Sequence, residues 1–298
     1  MAYSGTYASS AVYPQEWATK LQQRLNKPQS WKDINDVIYS DKYIINIPYL
    51  STEAAAASYT RGSAYTYADN VITTDTLTIG TTYTKPIITD RADLAQCTLW
   101  DRMAQAERQA SMLNEAVESA ALANYGNWTD FGDTGGGTLG LGTGEITVTA
   151  STIHKIVRGV RREVITANGM DLMNANGLFF QWRAADFEAL EEFAQSNGFN
   201  LADKALQNGI PQAYYFMDAY HYVSNSHTAK HIFGGVRKIQ KLGILKATYG
   251  QVIVNNDPYF AAASGVASAI GMVARVDYGV AAPVGLKSII FDINAAAV

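Results

Sequence analysis

The stretch that decides the fold runs from Arg91 to Tyr125: "RADLAQCTLWDRMAQAERQASMLNEAVESAALANY". Leu94, Cys97, Met103 or Ala104, Ala110, Leu113, Val117 and Ala121 follow helical spacing. Asp90 stands before it as an N-cap, with Asp93 three residues on as a partial capping box. Gly126 is placed to terminate it at C′. A helix from 90 to 125 is a rod of about 50 Å at 1.5 Å per residue. That is about three times the mean helix of globular proteins. Cys97, the only cysteine, reads as a small core hydrophobe on this helix.

After the helix comes "DFGDTGGGTLGLGTGE", Asp130 to Glu145. Gly135, Gly137 and Gly140 spell G-x-G-x-x-G. A dinucleotide fingerprint must follow a strand and open a helix, so that the pyrophosphate meets the helix N-terminus. Here a helix precedes, a short strand "EITVT" follows, and no Lys-Ser or Lys-Thr pair completes a P-loop. The stretch therefore reads as a connector, with Gly135, Gly136 and Gly137 as hinge candidates. A soluble nucleotide-dependent enzyme built around these glycines is the different-class alternative.

Upstream, residues 1 to 40 read as an arm, with a short helix from Pro14 carrying Trp17, Leu21 and Leu25, and a second capped by Ser30. Residues 43 to 89 read as one long two-stranded hairpin, "YIINIPYL" returning through the threonine-rich Asp69 to Thr89. Such a ribbon is not stable alone in water, so it must lie on something else. Downstream, an amphipathic helix directs Ile153, Ile156 or Val157, Val160 and Val164 inward. "GLFFQW" is an apolar strand, "RAADFEALEEFAQSNG" a helix, and "QAYYFMDAYHYVSN" a strand. "ATYGQVIVNN", "AIGMVARVDYGV" and "LKSIIFDIN" close the chain as strands; "HIFGGVRKIQKLG" is ambiguous. The class is α+β.

The composition excludes several functions. Of 298 residues 48% are hydrophobic and only 17% charged, with 18 tyrosines. This suits either a large β-rich monomer or extensive subunit interfaces, whose centres favour aromatics over charges. Net charge is -4, which argues against a basic nucleic-acid surface. Lys155, Arg158 and Arg162 share a helix face that reads as solvated. The N-terminus has no signal-peptide pattern, the longest apolar run is short for a membrane span, and one cysteine suits a reducing cytoplasm. His227 and His231 lie in "HTAKH", which lacks the glutamate of a zincin, and Glu188, Glu191 and Glu192 form a wet helix face. No catalytic, cofactor-binding or metal-binding residue is expected.

The order of elements carries a resemblance. A short arm, a protruding hairpin, a very long helix and an α+β domain together resemble a tailed-bacteriophage major capsid protein of the Hong Kong 97 type. The best local matches are "PIITDRADLAQCTLWDRMAQAERQASMLNEAVESAALANYG" and "FEALEEFAQSNGFNLADKALQNGIPQAYYFMDAYHYVSN". The resemblance implies an N-terminal arm (1–42), an extended loop reaching over a neighbouring subunit (43–89), and a peripheral domain with spine helix and glycine-rich junction (90–144). An axial domain (145–280) and a C-terminal return strand (281–298) complete it. It implies self-assembly into hexamers and pentamers of an icosahedral shell in the host bacterial cytoplasm, with double-stranded DNA held by confinement. A portal and a separate scaffolding or decoration protein are the other implied partners; no membrane is. Tyr59, Arg61, Tyr65 and Tyr67 in the loop, with Trp17 on the arm, are the contact candidates, since Tyr, Trp and Arg dominate interface hot spots. Only some 40 residues precede the loop, so a scaffold is expected to be a separate protein or already removed. The loop tip from Glu53 to Asn70 has no lysine, so no covalent lysine cross-link is expected. An encapsulin-type cargo shell is the alternative within the same class.

Overall fold

The computed structural model describes residues 29–52, 61–62, 71–90, 102–132, 145–197, 213–228, 230–249, 252–255 and 269–295. Three sheets organise them. A five-stranded sheet is centred on β12 (Ala269–Ala281). One edge of β12 pairs with β10 (Lys241–Leu245) and then β11 (Val252–Asn255). Its other edge pairs with β4 (Thr81–Asp90), and β1 (Asp36–Ser40) runs parallel to β10. A six-stranded sheet has the order β5 (Thr129–Asp130), β13 (Ile290–Asn294), β9 (His231–Val236), β6 (Leu178–Trp182), β8 (Ala219–Val223), β7 (Ala213–Phe216). The third sheet is a ribbon of β2 (Ile44–Thr52) and β3 (Val71–Thr78).

Each large sheet has its own apolar core. The six-stranded sheet packs Phe179, Phe180, Phe233, Phe291 and Ile293 with Ile153, Val157 and Val160 of the helix Ile153–Thr166. All five residues of β6 are buried, which is why its sequence is a near-continuous apolar run instead of alternating. Burying each such side chain contributes about 1.5–3 kcal/mol. The five-stranded sheet packs Leu242, Ile244, Val276 and Tyr278 against Val117 of the long helix Arg102–Leu122 and against Trp31.

Several sequence expectations change. Asp90 is not a helix cap: it ends β4, paired with Ala269. The β-branched run before it carries strand propensity up to that residue, and ten register pairs with β12 outweigh a local capping signal. The described helix begins at Arg102 and passes at Ala123 into a 3₁₀ segment ending at Asn127. Gly126 lies inside that segment and has no left-handed φ, so it is no C′ cap. Cys97 and Leu94 lie outside the described residues. The span 43–89 is not one hairpin either: β3 pairs with β2, but β4 leaves the ribbon for the five-stranded sheet. Residues 29–40 do not belong to a detached arm. Trp31 and Ile34 of the helical turn Trp31–Ile34 are fully buried, and β1 follows it into the sheet.

"EITVT" forms only one bridge, Ile146 to Ala295, and "HIFGGVRKIQKLG" resolves into β9, a turn and β10. "QAYYFMDAYHYVSN" is a hairpin, β7 and β8, turning at Met217 and Asp218. Both turn residues have positive φ, 50° and 60°, the primed turn that Asn-Gly usually supplies. Arg161 compensates: its guanidinium donates to the Met217 carbonyl and lies 3.5 Å from the Asp218 carboxylate. With no glycine or asparagine at the turn, local sequence carries no signal for the break.

Candidate functional site

The β2–β3 ribbon is docked at one end and exposed at the other. Its register runs from Ile44 opposite Thr78 to Thr52 opposite Val71, with a bulge between Leu50 and Thr52. Pro48 is accommodated because both strands of a two-stranded ribbon are edges. At the docked end Leu77 and Ile79 are buried, and the Ile79 N–H donates to the Tyr43 carbonyl at 2.7 Å. They lie over Gly243 and Gly279, which face one another in register across β10 and β12. A Cβ on Gly243 would come within 3.0 Å of Leu77 Cδ2; one on Gly279 would fall 2.0 Å from the Thr78 carbonyl oxygen. Farther along, Asp75 Oδ2 accepts from the Val284 N–H at 2.8 Å.

The ribbon turns apolar side chains to solvent at both ends. At the docked end Ile44 is 60% exposed and Tyr43 is exposed too; at the far end Val71 is 51% and Ile72 69% exposed. On β4, Tyr83 and Ile88 extend the exposed apolar set. β4 is held firmly underneath. Gln109 of the long helix donates to the carbonyls of Lys85 and Met272, on β4 and β12. Asp277 accepts from the Thr82 hydroxyl and from Arg275 Nε at 3.0 Å. Burial opposes ionisation of Asp277, but Thr82 and Arg275 outweigh it and hold the carboxyl below the usual carboxylate range. A rigid base carrying exposed apolar side chains is the chemistry of an interface, not of a reaction centre.

Where the two cores meet, the seam is polar. Glu118 of the long helix accepts from the Ser30 and Trp31 N–H groups and from Gln181 of β6. Gln240, on the turn between β9 and β10, donates to Asn35 Oδ1 and the Ala121 carbonyl. Its side-chain amide oxygen accepts from Asn124 and from the Trp128 indole at 2.6 Å. Two buried side chains thus tie the long helix, the Trp31–Ile34 turn and both sheets together.

Of the contact residues read from sequence, the described part includes Arg61, exposed in a turn beside Gly62, whose φ is 95°. Trp17, Tyr59, Tyr65, Tyr67 and the hinge candidates Gly135, Gly136 and Gly137 lie outside the described residues. Sequence reasoning missed Ile44, Val71 and Ile72. The available signal for Val71 and Ile72 was a β-branched apolar pair opening a threonine-rich strand; Ile44 had none, being one of several apolar residues of β2. His227 and His231 are not metal ligands together: His227 Nδ1 bonds the His231 carbonyl at 3.0 Å, while His231 Nδ1 lies 2.6 Å from Asp292 and its ring stacks on Tyr125. Among the described residues no group of three metal-ligating side chains gathers, and no helix is long and apolar enough to cross a membrane. Glu188, Glu191 and Glu192 are exposed, as the wet-face reading requires.

No family model matches the chain, and no curated protein matches it. Solved structures do. A structure from Mycobacterium phage Che8 is 14% identical and superposes with a TM-score of 0.66, covering 94% of this chain and 96% of its own. The capsid of a native GTA particle is 15% identical, with TM-score 0.63 and coverage of 99% and 100%. The capsid of cyanophage P-SCSP1u is 11% identical, with TM-score 0.55 and coverage of 100% and 97%. Agreement across almost the whole of each chain at such low identity is agreement of fold, and this chain has the fold of tailed-phage major capsid proteins.

Proposed function

We propose that the chain is a major capsid protein that assembles into hexamers and pentamers of an icosahedral shell enclosing phage DNA. The observation that carries this beyond fold is the ribbon: docked through Leu77 and Ile79, it exposes Ile44, Val71 and Ile72, which only a second surface can bury. A neighbouring copy is that surface, since shells are built from one repeated contact set. In this reading the β2–β3 ribbon, Ile44 to Thr78, is the described part of the extended loop, β4 roots it in the five-stranded sheet, and the Arg102–Leu122 helix belongs to the spine. The six-stranded sheet forms most of the axial domain, and Gly135 to Gly137 supply bending at the junction. The role is structural, and the place of action is the virion capsid. Portal, scaffolding and decoration proteins are the further partners.

Negative-stain electron microscopy of the purified chain tests the assignment. Rings or closed shells are expected; uniform 32.4 kDa monomers at every concentration and ionic strength sink it. Genomic DNA inside the native particle, as opposed to an enzyme, separates a phage capsid from a cargo shell.

A further inference from the structure

Two helices in the core of the six-stranded sheet carry opposite, unpaired charges. The helix Ile153–Thr166 and the helix Ala184–Ser196 share that core, and His154 of the first stacks on Phe193 of the second with ring centroids 4.9 Å apart. Lys155 and Arg158 are exposed on the first; Glu188, Glu191 and Glu192 are exposed on the second. Among the described residues none of these has an ion-pair partner. The charges of these helices that do pair are others: Arg161 with Asp218, Arg162 with Glu163, and Arg183 with Asp186.

The unpaired charges do not stabilise the subunit that carries them. Like charges three or four residues apart on a helix repel, as Lys155 and Arg158 do, and Glu188 with Glu191 and Glu192. Lys155 also stands in the first turn of its helix, where the dipole disfavours a cation, and no acidic residue shares that turn. Nor do the two sets neutralise one another. At about 100° per residue, Glu188 and Glu191 lie about 140° and about 160° round their helix from Phe193, the side chain that meets the first helix. This acidic flank looks away from the cations. The field of the cations is felt beside them: burial first, then Lys155 and Arg158, hold the His154 imidazole below its usual range.

We propose that the acidic flank of the Ala184–Ser196 helix in one copy of the chain docks against Lys155 and Arg158 of the next copy. The proposal rests on the shell reading and names a contact by which copies sit side by side in a ring. The two patches are different surfaces, so the contact is head-to-tail, the kind that closes into rings. A second copy is the occupant that the charges fit, because it brings the complementary patch in equal number. Exposed ion pairs contribute little singly. Their effect is on orientation, since flanks of like sign brought together are rejected.

Charge reversal in the full-length chain at low salt tests this, with assembly measured by sedimentation velocity. Glu188→Lys with Glu191→Lys, and Lys155→Glu with Arg158→Glu, should each lower the assembled fraction at least about tenfold, and all four in one chain should restore it. The helix dipole opposes Lys155, so the chain with Lys155→Glu and Arg158→Glu should unfold at a temperature no lower than wild type even as its assembly falls. Double variants that assemble like wild type, a four-fold variant that does not recover, or a loss seen only when the two cations are reversed, as when they meet DNA instead, overturns the contact and leaves the shell reading standing. If a reversal variant does not fold, glutamines at the same positions decide: they should weaken the salt dependence of assembly, and an unchanged dependence overturns the contact. A wild-type chain that stays monomeric at every ionic strength overturns the shell reading and this contact with it.

Discussion

Gly279 and Thr78 meet backbone to backbone: there is no space between the Gly279 α-carbon and the Thr78 carbonyl for even a methyl group, since a Cβ would lie 2.0 Å from that oxygen. The contact seats the ribbon on the five-stranded sheet. Gly279→Ala must push β3 off its seat and should cost about 3 kcal/mol, the upper range of overpacking. Gly243→Ala meets only the ends of Leu77 and Ile79, which can shift, and should cost about 1 kcal/mol. Urea unfolding of both variants checks the order; an equal or reversed order would show that the ribbon is not seated through Gly279.

Among the described residues of the ribbon Ile72 is the most exposed large apolar one, at 69%. Ile72→Asp should change monomer stability by less than about 0.5 kcal/mol, as exposed positions do. In the shell reading it should nevertheless lower the yield of assembled particles, measured by sedimentation velocity. Normal assembly by the variant would remove Ile72 from the interface.

His221 is buried and neutral. The Trp182 indole donates to its Nδ1 at 2.9 Å, so its proton is on Nε2, 3.0 Å from the Phe216 carbonyl. Burial lowers its pKa from 6.5 to about 4, against the opposing effect of the Phe216 carbonyl, and His227 is likewise lowered to about 4. The unfolded chain binds these protons first as pH falls. Their contribution is therefore complete above about pH 6.5 and is lost towards about pH 4, up to about 3 kcal/mol for His221 alone. His221→Gln keeps one acceptor and one donor. Its unfolding free energy should fall less steeply between pH 7 and about pH 4.5 than that of the wild type. Parallel slopes would contradict a neutral buried imidazole.

Alanines at Gly135, Gly136 and Gly137 should leave the subunit's circular dichroism and unfolding midpoint close to wild type while disturbing shell assembly or maturation. Alanine at three successive positions restricts backbone freedom that glycine allows. Particles that form and mature normally would reduce the stretch to a loose surface loop.

Much of the fold was legible because its signals are local. The 3.6-residue period of Ile153, Ile156, Val160 and Val164 marks a helix whichever sheet it covers, and those residues are all buried. "LFFQW" is apolar but for Gln181 because it is central in its sheet. The order of elements sufficed for the capsid resemblance. The candidate site was less legible: the tyrosines Tyr59, Tyr65 and Tyr67 lie outside the described residues, and among the described ones the exposed apolar side chains of the ribbon lie in its strands.

What the sequence determined by itself is therefore the inventory: which segments are helix or strand, which faces are apolar, and what class of fold they make. The tertiary structure alone decided the partners. β4 looks locally like the return arm of a hairpin, and its destination was settled by ten register pairs with β12, some 190 residues away in sequence. Gly243 and Gly279 are ordinary strand glycines until β3 crosses above them. Glu118 reads as one more polar residue of an amphipathic helix; its burial arises because Ser30, Gln181 and Ser224 converge on it from three separate elements. A side chain's period is written along the chain, but desolvation and pairing belong to the space between segments, which only folding brings together.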